Sequence, residues 1–250
     1  IANKRSISWA IAQAASAAGA RLAVTYQGER LEENVRDLSA ILTDPLILPC
    51  DVTVDAQIDS VFAAIDKEFG GLDFVVHGAA FAPREELMAP FVQTSREGFR
   101  LSMDVSAYSL IALARGAVPL MERRGGGSIL TLTYLGSERV FQNYNVMGVA
   151  KAALESSVRY LANDLGPQKI RVNAISPGPM KTLAGAAIGG ARATFRQTEA
   201  NAPLRSNATL EAVGGTAVYL ASDYGAFTTG EIIRVDGGYH VLGMPQPENL

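Results

Sequence analysis

Apolar positions along the chain follow two alternating rhythms. Short runs rich in β-branched residues predict strands at Leu22–Tyr26, Leu46–Leu48, Phe74–His77, Ser128–Thr133, Arg171–Ile175 and Ile232–Val235. Between them, apolar residues recur at helical spacing over Ile7–Ala18, Glu29–Leu42, Asp55–Phe69, Gly98–Met121, Tyr144–Leu165 and Leu210–Ala221. Strands that are apolar throughout, rather than alternating, are buried on both faces, and the intervening helices supply both covers. Right-handed crossovers then give a doubly wound, Rossmann-like α/β fold, a parallel sheet with helices on both faces. No repeat, low-complexity linker or composition break divides the chain, so residues 1–250 are expected to form a single domain. The start is unusual. Ile1-Ala2-Asn3 reads as the middle of a loop and helix periodicity follows at once, so the first strand of the pattern is expected to lie before Ile1.

Composition narrows the function more than the fold. Hydrophobic residues make up 48% and charged residues 19%, ordinary for a soluble enzyme. The net charge of −3 is spread along the sequence, which argues against a nucleic-acid partner, because phosphate binding needs a concentrated basic surface. The single cysteine, Cys50, excludes an internal disulfide and reads as a core residue. No apolar run approaches the ~20 residues that span a bilayer and no signal peptide is visible, so a cytoplasmic protein without membrane insertion is expected.

In doubly wound folds ligands sit beyond the carboxyl ends of the strands. Ala2–Ile7 opens the first helix, whose free N–H groups suit a pyrophosphate, and Ser6 is placed either to cap that helix or to donate to phosphate. At the next strand end, Gln27 is neutral and Arg30 lies a turn further on, which favours NADH over NADPH. Asp51, with Val52 after it, either accepts from an adenine amino group or caps the following helix. Gly78-Ala79-Ala80 are small enough for a flat ring and ribose to approach the backbone, and His77 before them reads as a satisfied core histidine.

The sharpest signal is a tyrosine and a lysine seven residues apart, Tyr144 and Lys151. Spacings of four and seven both place two residues on one helix face, ~6 Å and ~10.5 Å apart. Carbonyl reductases of this fold use the shorter spacing, which here falls on Met147, a residue with no acidic hydrogen; their active-site serine position, thirteen before that, is Tyr134. The serine–tyrosine–lysine set for reducing a carbonyl is therefore out of register.

The segment T-Y-L-G-x(7)-Y-N-V-M-G-x-A-K resembles the bacterial enoyl-[acyl-carrier-protein] reductases, a divergent branch of the short-chain dehydrogenase/reductase superfamily. Ala2-Asn3 with Ser6-Ile7, Thr25-Tyr26-Gln27, Cys50-Asp51-Val52, Phe81-Ala82-Pro83, Arg96-Glu97-Gly98-Phe99, Ile175 to Pro179, Thr182-Leu183-Ala184 and Val235 to Gly238 agree in order. Two positions depart: the family usually has serine or cysteine then isoleucine at Gly78-Ala79, and often alanine at Pro177. The resemblance implies reduction of an enoyl thioester on acyl carrier protein by NADH, with Tyr144 hydrogen-bonding the thioester oxygen. It further implies that Lys151 holds the nicotinamide ribose and that Tyr134 lines the acyl site and helps position the proton for the α-carbon. Cofactor contacts carry over to Ala2, Ser6, Ile7, Gln27, Asp51, Val52, Gly78, Ala79, Ala80, Leu132, Lys151, Met180, Lys181, Thr182, Leu183 and Ala184. Phe81 and Ala82 are implied in the acyl wall beside Tyr134 and Tyr144. Gly185–Asn201 resembles a mobile substrate flap, the two long central helices those that assemble homotetramers, and Arg192, Arg196 and Arg205 either meet an acidic carrier or form a solvated face. The competing expectations are a carbonyl or 3-oxoacyl reductase, and a non-catalytic nucleotide-binding homologue.

Overall fold

The computed structural model describes residues 1–182, 185 and 190–249. Among the described residues six strands are all in parallel pairs: β1 (Ala23–Tyr26) with β2 (Leu46–Pro49), and β3 (Phe74–His77), β4 (Gly127–Leu132), β5 (Ile170–Pro177) and β6 (Ile232–Val235) in that order. The ladders fall into a two-stranded and a four-stranded sheet, with Ala23 opposite Leu46, Phe74 opposite Ser128, Gly127 opposite Ile170 and Ala174 opposite Ile232.

Strand pleating explains the two helical layers. Successive side chains point to opposite faces. Ile129 and Ala174 join Ile58, Phe62, Leu110, Met121, Leu154 and Val158 in one core, beneath α3 (Asp55–Phe69), α6 (Ser109–Glu122) and α7 (Asn145–Leu165). Their neighbours Leu130 and Ile175 join Ile11, Val213 and Leu220 in the other, beneath α1 (Ile7–Ala17) and α9 (Leu210–Ala221). Each fully buried leucine, Leu154 for example, contributes about 1.5–3 kcal/mol relative to exposure. Among the described residues the other α-helices with assigned bounds are α2 (Glu32–Ser39), α4 (Arg84–Met88), α5 (Arg96–Met103) and α8 (Ala191–Asn201).

Local chemistry sets the helix ends. Ser6, Ser95 and Thr209 stand in extended backbone, and their hydroxyls accept from Trp9, Gly98 and Ala212 N–H groups at the starts of α1, α5 and α9. Gly70 ends α3 in the left-handed region, at φ 67°. One expectation is corrected. The apolar period over Gly98–Met121 is not a single α-helix, because a π-helical turn at Asp104–Tyr108 separates α5 from α6. That turn aims Ser106 at the Phe81 backbone, where its hydroxyl accepts from the N–H at 2.9 Å and contacts the carbonyl at 3.1 Å. Likewise Glu29–Leu31 is a 3-10 turn leading into the shorter α2. Cys50 is buried and reduced, as expected of a core thiol.

Candidate active site

Helix α7 presents one face, at positions 144, 148, 151 and 155, to the segment that leaves β4. Tyr144 is its N-cap residue and is almost wholly buried. Gly148 lies inside the helix, where glycine costs about 1 kcal/mol relative to alanine. The reason is an approaching backbone: a Cβ there would stand 2.6 Å from the Gly136 carbonyl oxygen. Gly136 is constrained in turn, since its Cβ would meet the Tyr144 ring at 2.5 Å and the Tyr134 ring at 3.1 Å.

The two tyrosines meet edge to face, with ring centroids 5.1 Å apart, and Phe141 stands 5.0 Å from Tyr134. Ala82, Leu87, Val146 and Met147 complete this apolar cluster. Burial pushes both phenols well above their ordinary pKa, so each keeps its proton and remains a donor throughout the neutral range. Met147, four residues before Lys151, packs in the cluster, and its sulfur accepts weakly from Ser106 at 3.7 Å. The position that carries the acid in carbonyl reductases is thus a packing position here. Phe81, expected beside Ala82, is half-exposed and not part of this cluster.

Lys151 is buried, and its ammonium donates to the Leu132 carbonyl at 2.7 Å. Burial brings its pKa down to about 8, with Glu155 opposing the shift. Glu155, not singled out in the sequence, is also buried and accepts from the hydroxyls of Thr133 at 2.5 Å and Ser137 at 2.6 Å. The signal for it was present: a carboxylate one helical turn after the lysine, on the same face.

The expected nucleotide residues form two groups. Ile7, Leu132 and Met180 pack around the core cluster under α1 and α9, at the carboxyl end of the four-stranded sheet. Gly78 lies beside them, and a Cβ on it would come within 2.2 Å of Ser8 Oγ and 3.9 Å of Leu132. Loss of a side chain at position 78 is therefore matched by a hydroxyl supplied from α1, which the sequence reading missed. Ser6 accepts from Trp9 N–H at 3.2 Å and so caps α1. The second group lies at the ends of β1 and β2. Gln27 donates to Asp51 at 3.0 Å, and the other Asp51 oxygen accepts from the Thr53 N–H and hydroxyl, which holds the carboxyl below its ordinary pKa. Arg30 is exposed, and Val52 and Ala79 are exposed or partly so, while the Ala2 carbonyl accepts from Asn34. Thr182 accepts from Gly185 N–H at 2.9 Å, and the Lys181 ammonium stands 4.6 Å from the Phe195 ring on α8. Leu183 and Ala184, and part of the expected flap, lie outside the described residues.

His77 behaves as expected of a core histidine. Its ring nitrogens meet Thr131 Oγ1 and Ser109 Oγ, each at 2.7 Å. Ser109 spends its own proton on the Val105 carbonyl, which makes His77 Nε2–H the donor and Nδ1 the acceptor. Burial first, and then the Lys151 charge, push its pKa down to about 3. The folded state holds the ring neutral while the unfolded chain protonates it below pH 6.5, so stability is full above that value and is lost as pH falls towards 3. From pH 7 to 5 this residue is expected to remove about 2 kcal/mol of unfolding free energy. Denaturant titration at both pH values checks it: His77→Gln should flatten the difference, and an equal slope in both proteins would contradict it.

Known proteins match the chain along almost its whole length. Residues 1–240 match the family described as Enoyl-(Acyl carrier protein) reductase. The Bacillus cereus protein named enoyl-[acyl-carrier-protein] reductase [NADH] FabI is 54% identical over 245 residues, covering 97% of this chain and 95% of that one. The Bacillus subtilis protein of the same name is 50% identical over 243 residues, 96% of this chain and 93% of that one. Among solved structures, the Bacillus cereus reductase with NADP+ and indole naphthyridinone superposes with a TM-score of 0.95 at 54% identity, over 98% of this chain and 95% of that one. The Anaplasma phagocytophilum reductase in complex with NAD gives 0.94 at 50% identity, over 98% and 93%. With its sequence matched almost end to end and its fold superposed throughout, this chain belongs to the enoyl-(acyl carrier protein) reductase family.

Proposed function

We propose that the chain reduces the trans-2 double bond of an enoyl thioester on acyl carrier protein, with NADH as reductant, in the last reductive step of fatty acid elongation. The observation that carries this reading is the protonated Tyr144 phenol in an apolar cluster, with Lys151 on the same helix face and Met147 packed where a carbonyl reductase needs its acid. The relatives' names specify NADH, and at the ends of β1 and β2 a neutral glutamine and a carboxylate stand where a 2′-phosphate would need cations.

The residues present fit a dinucleotide. Ala79 and Ala80 are small at the end of β3, Ser8 fills the space beside Gly78, and Ile7, Leu132 and Met180 give an apolar floor there. When bound, NADH supplies the hydride to the β-carbon of the enoyl thioester. Negative charge then develops on the thioester oxygen, and Tyr144 O–H stabilises it from within the apolar cluster. Tyr134, in ring contact with Tyr144, lines the acyl chain and helps position the proton that reaches the α-carbon. Lys151 holds the ribose hydroxyls and adds positive potential.

Arg192 and Arg196 are exposed on α8 and free to meet an acidic carrier, whereas Arg205 is committed to Glu248 and to the carbonyls of Asn201 and Ala202. The groove between the π turn and α7, with exposed Tyr108 at its rim, suits packing against further copies in a homotetramer. Among the described residues no helix is long and apolar enough to cross a membrane.

The test is oxidation of NADH with a trans-2-enoyl thioester, run beside a 3-oxoacyl thioester and repeated with NADPH. Turnover of the enoyl substrate with NADH is expected. Turnover of the oxo substrate alone would replace this reading with a carbonyl reductase, and a preference for NADPH would overturn the coenzyme assignment.

A further inference from the structure

We infer that Glu155 is a positioning residue for the reduction: it fastens the segment carrying Tyr134 to α7 and keeps the neighbouring Lys151 in its ammonium form. The inference rests on the reading of Lys151 as the ribose-binding group.

Four contacts clamp residues 132–137 onto one face of α7. The Gly136 carbonyl lies against Gly148, the Leu132 carbonyl accepts from Lys151, and the hydroxyls of Thr133 and Ser137 donate to the same Glu155 oxygen, Oε1. Tyr134 lies between the two hydroxyl donors in sequence, so the carboxylate fixes both sides of the residue that touches Tyr144. A buried carboxylate held only by neutral hydroxyls is expensive unless a positive charge shares its surroundings. Among the described residues no cation comes within ion-pair distance of it, and the buried charge nearest along its own helix face is Lys151, one turn back.

The other titratable groups near Lys151 cannot take this part. His77, from β3, is neutral at any working pH, and Tyr144 and Tyr134 keep their protons. Glu155 is therefore the group that opposes the cost of burying the ammonium. Removing its charge makes Lys151 lose its proton at a lower pH, because only a negative neighbour favours the charged form.

The experiment measures NADH affinity against pH for wild type, Glu155→Gln and Glu155→Asp, together with ¹³C NMR titration of the Lys151 ε-carbon. Glutamine keeps an oxygen acceptor for both hydroxyls but carries no charge. Its alkaline fall in affinity, and the lysine titration, should move to lower pH by on the order of one unit. Aspartate, which keeps the charge, should restore the wild-type midpoint. Midpoints that coincide in wild type and Glu155→Gln would overturn the inference. If Glu155→Gln does not accumulate as folded protein, Glu155→Asn makes the same test. A Lys151→Ala control separates the two claims: if it binds NADH as wild type does, the ribose reading fails, and the NMR titration alone judges Glu155.

Discussion

Replacing Tyr144 with phenylalanine is expected to lower kcat for an enoyl thioester by about 10²–10³-fold, the usual loss when one donor to a developing oxyanion is removed. The ring keeps its shape, so its contacts with Tyr134, Val146 and Met147 survive and folding is unaffected. NADH affinity should stay at the wild-type value, because Tyr144 lies in the apolar cluster and not among the residues beside Ile7 and Met180. Steady-state kinetics with direct NADH titration checks both halves. An unchanged kcat would remove Tyr144 from the mechanism, while equal losses in turnover and NADH affinity would mean that the phenol serves the nucleotide.

Lys151→Ala produces the complementary result. A charged hydrogen bond contributes about 1.5–3 kcal/mol, so the dissociation constant for NADH should rise by roughly 10- to 100-fold. The apo protein offers a second readout. Unfolded Lys151 keeps its proton to about pH 10.5 and the folded residue only to about 8, so its contribution to stability rises with pH across that window. Lys151→Ala should abolish that rise, whereas the acid-side slope assigned to His77 should persist. An NADH titration curve identical to wild type would contradict the ribose role.

Much of this was legible before any coordinates. The seven-residue interval from Tyr144 to Lys151 is a helical fact, and the structure places both on one face of α7 with Met147 packed between them in sequence. Continuous apolar strands implied two covering layers, and Ile129 and Leu130 do face different cores. The π turn at Asp104–Tyr108 was not legible, because one added residue in a turn leaves no glycine or proline to mark it and barely disturbs an apolar period. Glu155 was overlooked because a glutamate in a long helix ordinarily faces water. Only the hydroxyls of Thr133 and Ser137, distant in sequence, make burial tolerable. Ser8 escaped notice for a similar reason, since its meaning depends on the absent side chain of Gly78 across the chain.

The bare backbone contact between Gly136 and Gly148 also orders the routes by which such a site can arise or be redesigned. Gly148 lies between Tyr144 and Lys151 on the shared helix face, and any side chain there strikes the Gly136 carbonyl. Placing a tyrosine seven residues before the lysine in a related scaffold would therefore fail on its own. Both glycines must come first or together with it, as silent preconditions whose benefit appears only once the phenol has moved. Conversion between the two chemistries spans at least four positions, 136, 144, 147 and 148, and an engineering library that varies the tyrosine alone will not contain it.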